Sequence, residues 1–310
     1  DFLKYLEVED GETVVSVSDI AGARDAVPLS LTTFAERSRA FLQIQNGCDA
    51  FCSYCIIPYA RGRSRSVAPD EVISQTRALT EGGYPEVVLT GIHIGGYGAD
   101  LSPAGSLLQL VRRIEAETDL PRLRLGSIEP TEIPAALIEQ VAASRILCPH
   151  FHIPLQAGDD EVLRRMNRHY DTRFFRDLVQ RIHRRIPDAA IGLDLIAGFP
   201  GETEAEFANT LDLIDALPIS HLHVFPFSRR PGTPAANMSG QVPGAVVKDR
   251  AAVLRELGEK KHEVFARRFI GQTLEVVVVG ELPGGNYRGL TGNYLTVTFA
   301  GEPELDGQRL

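Results

Sequence analysis

Three of the chain's four cysteines lie close together, at Cys48, Cys52 and Cys55, in a C-x3-C-x2-C spacing. Thiolates are soft ligands that suit iron–sulfur clusters, zinc and monovalent copper. Three thiolates can hold one metal centre but leave a coordination position open, whereas a 4Fe-4S cluster with four thiolates has every iron occupied. The spacing therefore predicts a loop around a metal centre with one vacant position for a substrate or cofactor.

These cysteines have three other possible roles: a disulfide, a zinc site or simple burial. An odd number of closely spaced thiols makes a poor disulfide framework. Structural zinc uses four ligands, usually from two separated cysteine pairs, and no histidine follows the motif at ligand spacing. The third possibility is that the cysteines are buried and bind no ligand. Three cysteines at this spacing argue against it. An iron–sulfur cluster with an open iron is the favoured interpretation, and zinc remains the alternative.

The residues around the cysteines are more specific than the cysteines themselves. The run from Phe41 to Ser66 reads FLQIQNGCDAFCSYCIIPYARGRSRS, with Tyr54 before the last cysteine. The motif with an aromatic residue there resembles the radical S-adenosylmethionine (SAM) signature, and the lead-in NGC and the follow-on IIPYARG resemble its methylthiotransferase branch. The resemblance implies a 4Fe-4S cluster on the three cysteines. It also implies that SAM binds the open iron and is split into methionine and a 5′-deoxyadenosyl radical.

Composition limits the class of protein and its compartment. A chain of 310 residues, 44% hydrophobic, can bury a large core and is expected to hold more than one unit. It contains neither an apolar run near the roughly 18 residues that span a bilayer nor a signal-peptide pattern, so no membrane partner is expected. Few, clustered cysteines fit the reducing cytoplasm. The net charge of −9 does not indicate a nucleic-acid binder, although local basic patches can still bind RNA.

Strand-like and helical segments alternate along the chain, which predicts an α/β fold. A first strand at 41–45 leads into the cysteine loop, at the end of the strand where ligands collect in parallel α/β folds. Further strands are predicted at 86–90, 122–126, 151–154, 191–199 and 221–227. About six strand–helix units are fewer than the eight of a closed TIM barrel. The count matches the partial (β/α)6 TIM-like radical SAM barrel that the resemblance implies, open on one side.

We expect three divisions of the chain. Residues 1–37, with a strand-like run at 12–18, are predicted to lead in from an N-terminal domain absent from this sequence, which begins at Asp1 without an initiator Met. Residues 38–270 form the barrel and a long helix. Residues 271–310, with strand-like runs at 273–279 and 294–299, resemble a whole or incomplete TRAM domain, the small RNA-contacting β-domain of this family; a plain β cap is the alternative.

The resemblance also implies a second cluster elsewhere in the family. Members carry an upstream domain with three more cysteines, which bind an auxiliary 4Fe-4S cluster that holds the sulfur to be inserted. Only Cys148 lies outside the motif in this sequence. We therefore expect the auxiliary cluster only in the full-length protein. The chain as given is expected to cleave SAM without inserting sulfur.

Several motifs resemble the family's SAM-binding segments. Arg168, in MNRHY, resembles the family's ligand for the SAM carboxylate, and Glu129, in SIEP, is a candidate for the ribose or the amino group. The alternative for Arg168 is a solvated helix face, and the alternative for Glu129 is a carboxylate paired with a nearby arginine. His93 is as readily a turn residue as a contact. No catalytic side chain is predicted, since the radical arises at the cluster. The predicted cofactor-binding residues are Tyr54, Gly91, Glu129, Gln156, Arg168 and Gly198.

Two segments point to RNA. Arg61, Arg63 and Arg65 follow the cysteines, where positive charge can steer phosphates, although a solvated loop is the alternative. The segment 221–234, HLHVFPFSRRPGTP, resembles that of the subgroup that modifies threonylcarbamoyl-adenosine beside the tRNA anticodon. The resemblance therefore implies methylthiolation at C2 of N6-threonylcarbamoyladenosine.

The expected partners are a tRNA anticodon stem-loop and a reducing electron donor protein. Two other functions stay open from the sequence. One is a sister methylthiotransferase that acts on isopentenyl-adenosine tRNA or on a ribosomal protein. The other is a zinc-containing RNA-binding protein without redox chemistry.

Overall fold

The computed structural model describes residues 20–23, 26, 38–302 and 305–310. The predicted strand at 12–18 and most of the 1–37 lead-in lie outside the described residues. The strands are β1 (Ala40–Asn46), β2 (Arg65–Ser66), β3 (Val87–Gly91), β4 (Leu123–Leu125), β5 (His150–Gln156), β6 (Ala190–Ala197), β7 (His221–Pro226), β8 (Val276–Leu282), β9 (Asn286–Thr291) and β10 (Thr296–Ala300). The helices are α1 (Ile57–Arg61), α2 (Pro69–Glu81), α3 (Leu107–Glu117), α4 (Ala135–Ala143), α5 (Asp160–Arg165), α6 (Thr172–Arg185), α7 (Glu204–Ala216) and α8 (Gly244–Arg267).

Six parallel strands form the wall of the barrel, as the sequence predicted. β1, β3 and β4 pair in parallel, as do β5, β6 and β7. The two groups meet through parallel bridges, Leu123 with Leu147 and Ser127 with His152. The unpredicted β2 is a short antiparallel addition to β1. The α/β class and the partial barrel are confirmed, and β7 has no partner on its second edge among the described strands.

Helices cover the outer face of the wall because their apolar residues recur at helical spacing. In α6, Phe175, Leu178, Val179 and Ile182 are buried, a spacing that puts them on one side of the helix. The helix begins where the Asp171 side chain accepts a hydrogen bond from the backbone N–H of Phe174. No helix in the described ranges is both long enough and apolar enough to cross a bilayer.

The C-terminal sheet is antiparallel, with strand order β10-β9-β8. The sequence predicted a small β unit here but missed β9, whose Gly-rich surroundings suggest turns alone. The sheet contacts the barrel at the amino-terminal ends of the barrel strands. There the ring of Tyr294 stacks on that of His150, with 4.5 Å between centroids. Arg124 reaches the same region, donating to the carbonyls of Thr291 and Gly292. The boundary at residue 271 stays a prediction.

The start of α7 carries a reciprocal cap. The Thr203 hydroxyl accepts from the backbone N–H of Glu206, and the Glu206 carboxylate accepts from the backbone N–H of Thr203 at 2.7 Å. We expect Thr203→Ala to lower the free energy of unfolding by about 1 kcal/mol, measured by urea denaturation. Thr203→Ser keeps the acceptor and should recover most of the loss. Equal stability of the alanine and serine variants would contradict a role for the cap.

Candidate functional site

The cysteine loop leaves the carboxyl end of β1 and ends at α1. Its entry requires glycine, because Gly47 has φ +75° and a Cβ there would lie 1.9 Å from the carbonyl oxygen of Arg63. The next residue, Cys48, donates its backbone N–H to the carbonyl of Gly62 at 3.1 Å. The first cysteine is thus held against the chain that leaves the loop.

Gln45 connects this loop to the neighbouring strand. Its buried side chain donates to the carbonyl of Gly47 at 2.8 Å and to the Ser64 hydroxyl at 2.9 Å. Its amide oxygen accepts the backbone N–H of His93 at 2.7 Å. Because one buried amide binds β1, the cysteine loop and the segment after β3, these three parts have a fixed relative position.

The other side of the loop binds the end of α5. Ser53 donates its backbone N–H to the carbonyl of Met166 at 3.0 Å and its hydroxyl to that of Arg165 at 2.7 Å. The Ser53 carbonyl accepts the backbone N–H of Ala235 at 2.8 Å. The cysteines therefore lie beside the residues that follow β5 and β7.

All three motif cysteines are free thiols, with Cys52 buried and the other two half-buried. The Cys48 sulfur accepts the backbone N–H of Ala50 at 3.4 Å. Burial raises the pKa of the Cys55 thiol, and the nearby Cys52 and Cys48 raise it further, against a backbone hydrogen bond from Ile57 that lowers it. The thiolates therefore repel one another, and a cation bound among them relieves that repulsion. This donor set fits a thiolate-bound metal cluster.

Arg168 and Glu129, both predicted from the sequence, meet beside Cys52. Arg168 is buried, and its Nη1 lies 3.2 Å from the Cys52 sulfur and 3.2 Å from Glu129 Oε1. Its Nε donates to the Tyr170 hydroxyl at 3.1 Å, and that hydroxyl donates to the carbonyl of Leu155. The alternative of an arginine-paired Glu129 is thus realised, with the pair beside the cysteine loop.

A cavity of about 240 Å³ opens next to this pair. It joins one cysteine, two carboxylates on the turn after β4 and the Arg168 guanidinium in a single space, large enough for part of a small-molecule ligand. Its lining residues are Asp49, Ala50, Cys52, His93, Glu129, Thr131, Glu132, Asn167, Arg168, His169 and Tyr170.

His93 and Glu132 are site residues that the sequence analysis left undecided or missed. The Nδ1 of His93 lies 3.7 Å from the Cys48 sulfur, and its Nε2 lies 2.9 Å from Glu132 Oε1. Contact with Cys48, then with Glu132, raises the pKa of His93 to about 10 in spite of burial. The ring is therefore cationic at neutral pH beside Cys48, the first cysteine of the motif. The available signal was the second carboxylate in SIEPTE, three residues after Glu129.

The other predicted SAM residues do not line this cavity. Tyr54 packs against the apolar cluster that contains Met166 and Phe199. Gly198 has φ +76° and contacts α8, since a Cβ there would lie 2.5 Å from Val247 Cγ2. Gly91 is packed against Gln45, and Gln156 has φ +70°, the left-handed region that non-glycine residues rarely adopt. Direct SAM contacts by these four residues stay predictions.

The three arginines after the cysteines do not form one exposed patch. Arg61 and Arg63 are exposed, and Arg63 lies 3.7 Å from Asp49. Arg65 is buried, and its guanidinium donates to the carbonyls of Arg63 and Arg61 at 2.9 and 3.0 Å. Arg65 stabilises its own loop, and Arg61 and Arg63 are the exposed members of the group. RNA contact by any of the three stays a prediction.

Comparison with known proteins agrees with this geometry. The sequence profile of the radical SAM superfamily matches residues 42–214, which include the cysteine loop and most of the barrel. The chain belongs to the radical SAM superfamily. It is 40% identical over 307 residues to the threonylcarbamoyladenosine tRNA methylthiotransferase MtaB of Bacillus subtilis, covering 97% of this chain and 67% of that protein. It is 39% identical to a tRNA-2-methylthio-N(6)-dimethylallyladenosine synthase of Desulfitobacterium hafniense, covering 88% and 61%.

This radical SAM chain thus spans about two thirds of the length of the curated relatives it matches. Among solved structures, the coproporphyrinogen III oxidase HemN of Escherichia coli, a radical SAM enzyme, superposes with a TM-score of 0.52 at 17% identity, over 84% of this chain and 68% of that one. The methyltransferase TsrM of Kitasatospora setae superposes with a TM-score of 0.53 at 22% identity, over 64% and 38%. These structures support the barrel fold alone.

Proposed function

We propose that this chain is the radical-generating part of a tRNA methylthiotransferase that modifies C2 of N6-threonylcarbamoyladenosine beside the anticodon. The observation that carries the proposal is the cysteine loop of a radical SAM protein, with three free thiols held beside the Arg168–Glu129 pair and a cavity. Identity to MtaB over nearly the whole chain supports the substrate class.

Cys48, Cys52 and Cys55 would hold a 4Fe-4S cluster, and SAM would occupy the adjacent cavity. When bound, the reduced cluster supplies the electron that divides SAM into methionine and a 5′-deoxyadenosyl radical. The chain's own residues match the amino-acid part of SAM. A guanidinium suits a carboxylate and a carboxylate suits an ammonium group, and Arg168 and Glu129 present both within one cavity.

His93 and Gln45 have supporting roles in this proposal. The cationic His93, held by Glu132, lies within 3.7 Å of the Cys48 sulfur and fixes the side on which this cysteine presents its ligand atom. Gln45 fixes the position of His93 relative to the loop. Since neither side chain takes part in a bond-breaking step, both act by positioning the ligands.

The substrate is proposed to be a tRNA anticodon stem-loop, met in the cytoplasm. Exposed Arg61 and Arg63 lie on the loop's exit, where phosphates can be attracted. The C-terminal sheet, by its TRAM-like pattern, would add an RNA contact. A reducing protein would provide the electron, and an auxiliary 4Fe-4S cluster in the full-length protein would provide the sulfur.

A dimethylallyl-adenosine tRNA substrate is the second candidate, because a relative with that name is 39% identical. The threonylcarbamoyl substrate is preferred because the segment 221–234 resembles the subgroup that uses it. Superfamily membership argues against a redox-inactive zinc protein.

Anaerobic reconstitution followed by SAM cleavage tests the proposal. We expect the reconstituted chain with dithionite to produce 5′-deoxyadenosine and methionine, detected by mass spectrometry, and no methylthiolated tRNA. The full-length protein should methylthiolate tRNA that carries threonylcarbamoyladenosine and leave isopentenyl-adenosine tRNA unchanged. The reverse preference would establish the second candidate. A cluster-loaded chain that does not cleave SAM would refute both.

A further inference from the structure

Strands β5, β6 and β7 bring four histidines and an aspartate together on the inner side of the barrel. Residues two apart on a strand share a face, so His150 and His152 lie on one face of β5, and His221 and His223 lie on one face of β7. Asp194 on β6 lies opposite His223 in the strand register. The rings of His152 and His223 are 4.9 Å apart. None of these residues lines the cavity beside the cysteines.

Glycine makes room for this arrangement. Gly192 lies between His152 and His221 in register, and a Cβ there would be 2.1 Å from the Nε2 of His221. Any other residue at this position would push the imidazole away from the wall. The local sequence thus specifies a space inside the barrel filled by imidazole rings.

Three side chains have the spacing of metal ligands. The Nε2 of His152 lies 2.8 Å from Asp194 Oδ1, and the Nδ1 of His223 lies 3.4 Å from the same oxygen. The three ligand atoms lie within 4.8 Å of one another. A metal about 2.1 Å from each ligand, at angles of roughly 90–110°, separates ligand atoms by about 3.0–3.4 Å. The two distances to Asp194 lie close to this range, and the two imidazole nitrogens lie within 4.8 Å of each other, a gap that side-chain rotation can close.

The charges also suit a cation. The Asp194 carboxylate supplies a negative charge in contact with both imidazoles. The Arg124 guanidinium, which lines the adjoining cavity, donates to the Glu86 carboxylate and to backbone carbonyls, which limits its repulsion of a metal ion.

The two histidine side chains also border a cavity. His152 and His223, with Ser127, line a second cavity of about 240 Å³ inside the barrel, apart from the cavity at the cysteines. Two histidines and one carboxylate leave further coordination positions open, as in zinc hydrolases and non-haem iron sites. The cavity has room for water or a ligand at those positions.

We propose that His152, Asp194 and His223 form a binding site for a divalent transition metal of the zinc or iron(II) class, inside the barrel and separate from the cysteine loop. The site rests on the geometry of β5, β6 and β7 and is independent of the proposed tRNA substrate. In the absence of a metal the same three residues form a hydrogen-bonded trio.

Zinc binding to the cluster-loaded chain tests the site, because the occupied cysteines are then protected. After dialysis against micromolar Zn²⁺, we expect one zinc per chain by elemental analysis. Asp194→Asn and His223→Ala should weaken zinc affinity about tenfold or more. His223 is half-exposed, so its truncation is compatible with folding. The control His183→Ala removes a histidine on α6, outside the trio and outside both cavities, and should bind zinc as the wild type does.

Cobalt(II) identifies the ligand type. Bound at this site, it should give weak visible bands without the strong near-ultraviolet absorption of a cobalt–thiolate bond. The proposal fails if the wild type binds no zinc, if Asp194→Asn binds zinc as tightly as the wild type, or if cobalt shows thiolate absorption. Each of these results would leave the trio with a hydrogen-bonding role only.

Discussion

Anaerobically reconstituted Cys52→Ala is expected to hold almost no iron or sulfide, whereas the wild-type chain takes up about four of each. Removing one of three thiolates leaves two ligands for a cluster that already lacks a fourth protein ligand. The SAM-cleaving activity should be lost with the iron. Arg168 contacts the Cys52 sulfur, but it retains Glu129 and Tyr170 as partners, so the fold should survive the substitution.

Cys148→Ala is the matched control for this experiment. Cys148 is the fourth cysteine, buried away from the loop and near Glu86. Its replacement should leave iron, sulfide and SAM cleavage at wild-type levels, measured by colorimetric iron and sulfide assays. Full iron in Cys52→Ala, or equal losses in the two variants, would contradict the assignment of the cluster to the loop. Stoichiometric zinc in place of iron would favour the zinc alternative.

The parts of the fold that sequence predicted are those whose local pattern agrees with their environment. The strands of the wall read as short apolar runs because both their faces are covered, as at Val87, Val88 and Leu89. Cysteine spacing located the loop, because ligands of one centre must be close in sequence or in space.

The parts that sequence could not predict depend on contacts between distant residues. Strand β9 forms only because β8 and β10 lie on either side of it, although its sequence suggests turns. Arg65 reads as a surface charge, yet two backbone carbonyls bind it in a buried position. The pairing of His93 with Glu132 joins two loops that follow different strands. Such pairings require the register of the sheet, which no single segment encodes.

Glu86→Gln is expected to lower the free energy of unfolding at pH 7 by about 3–5 kcal/mol, because it leaves buried guanidinium groups without their counter-charge. Glu86 is fully buried, and its carboxylate accepts from the Nε of Arg122 and of Arg124 at 2.9 Å each and from Arg39 at 3.2 Å. Arg122 and Arg124 also donate to backbone carbonyls of the C-terminal sheet and its turn. The network therefore joins that sheet to the barrel, and its loss should weaken both. Urea denaturation of the two chains measures the effect.

The pH dependence of the free energy of unfolding tests whether the Glu86 carboxylate is the source of this stabilisation. Burial opposes its ionisation, but Arg124, then Arg122 and Arg39, lower its pKa from 4.5 to about 2. Because the pKa of Glu86 is lower in the folded state than in the unfolded state, ionisation of this carboxylate stabilises the fold by about 3 kcal/mol. This contribution is complete above the unfolded-state pKa and is lost as the pH falls toward 2. Wild type should lose this increment between about pH 5 and pH 2, and Glu86→Gln should not. The exposed Glu117→Gln should change stability little, since solvent screens its pair with Arg113. Parallel loss of stability in wild type and Glu86→Gln over that pH range would show that other carboxylates are responsible.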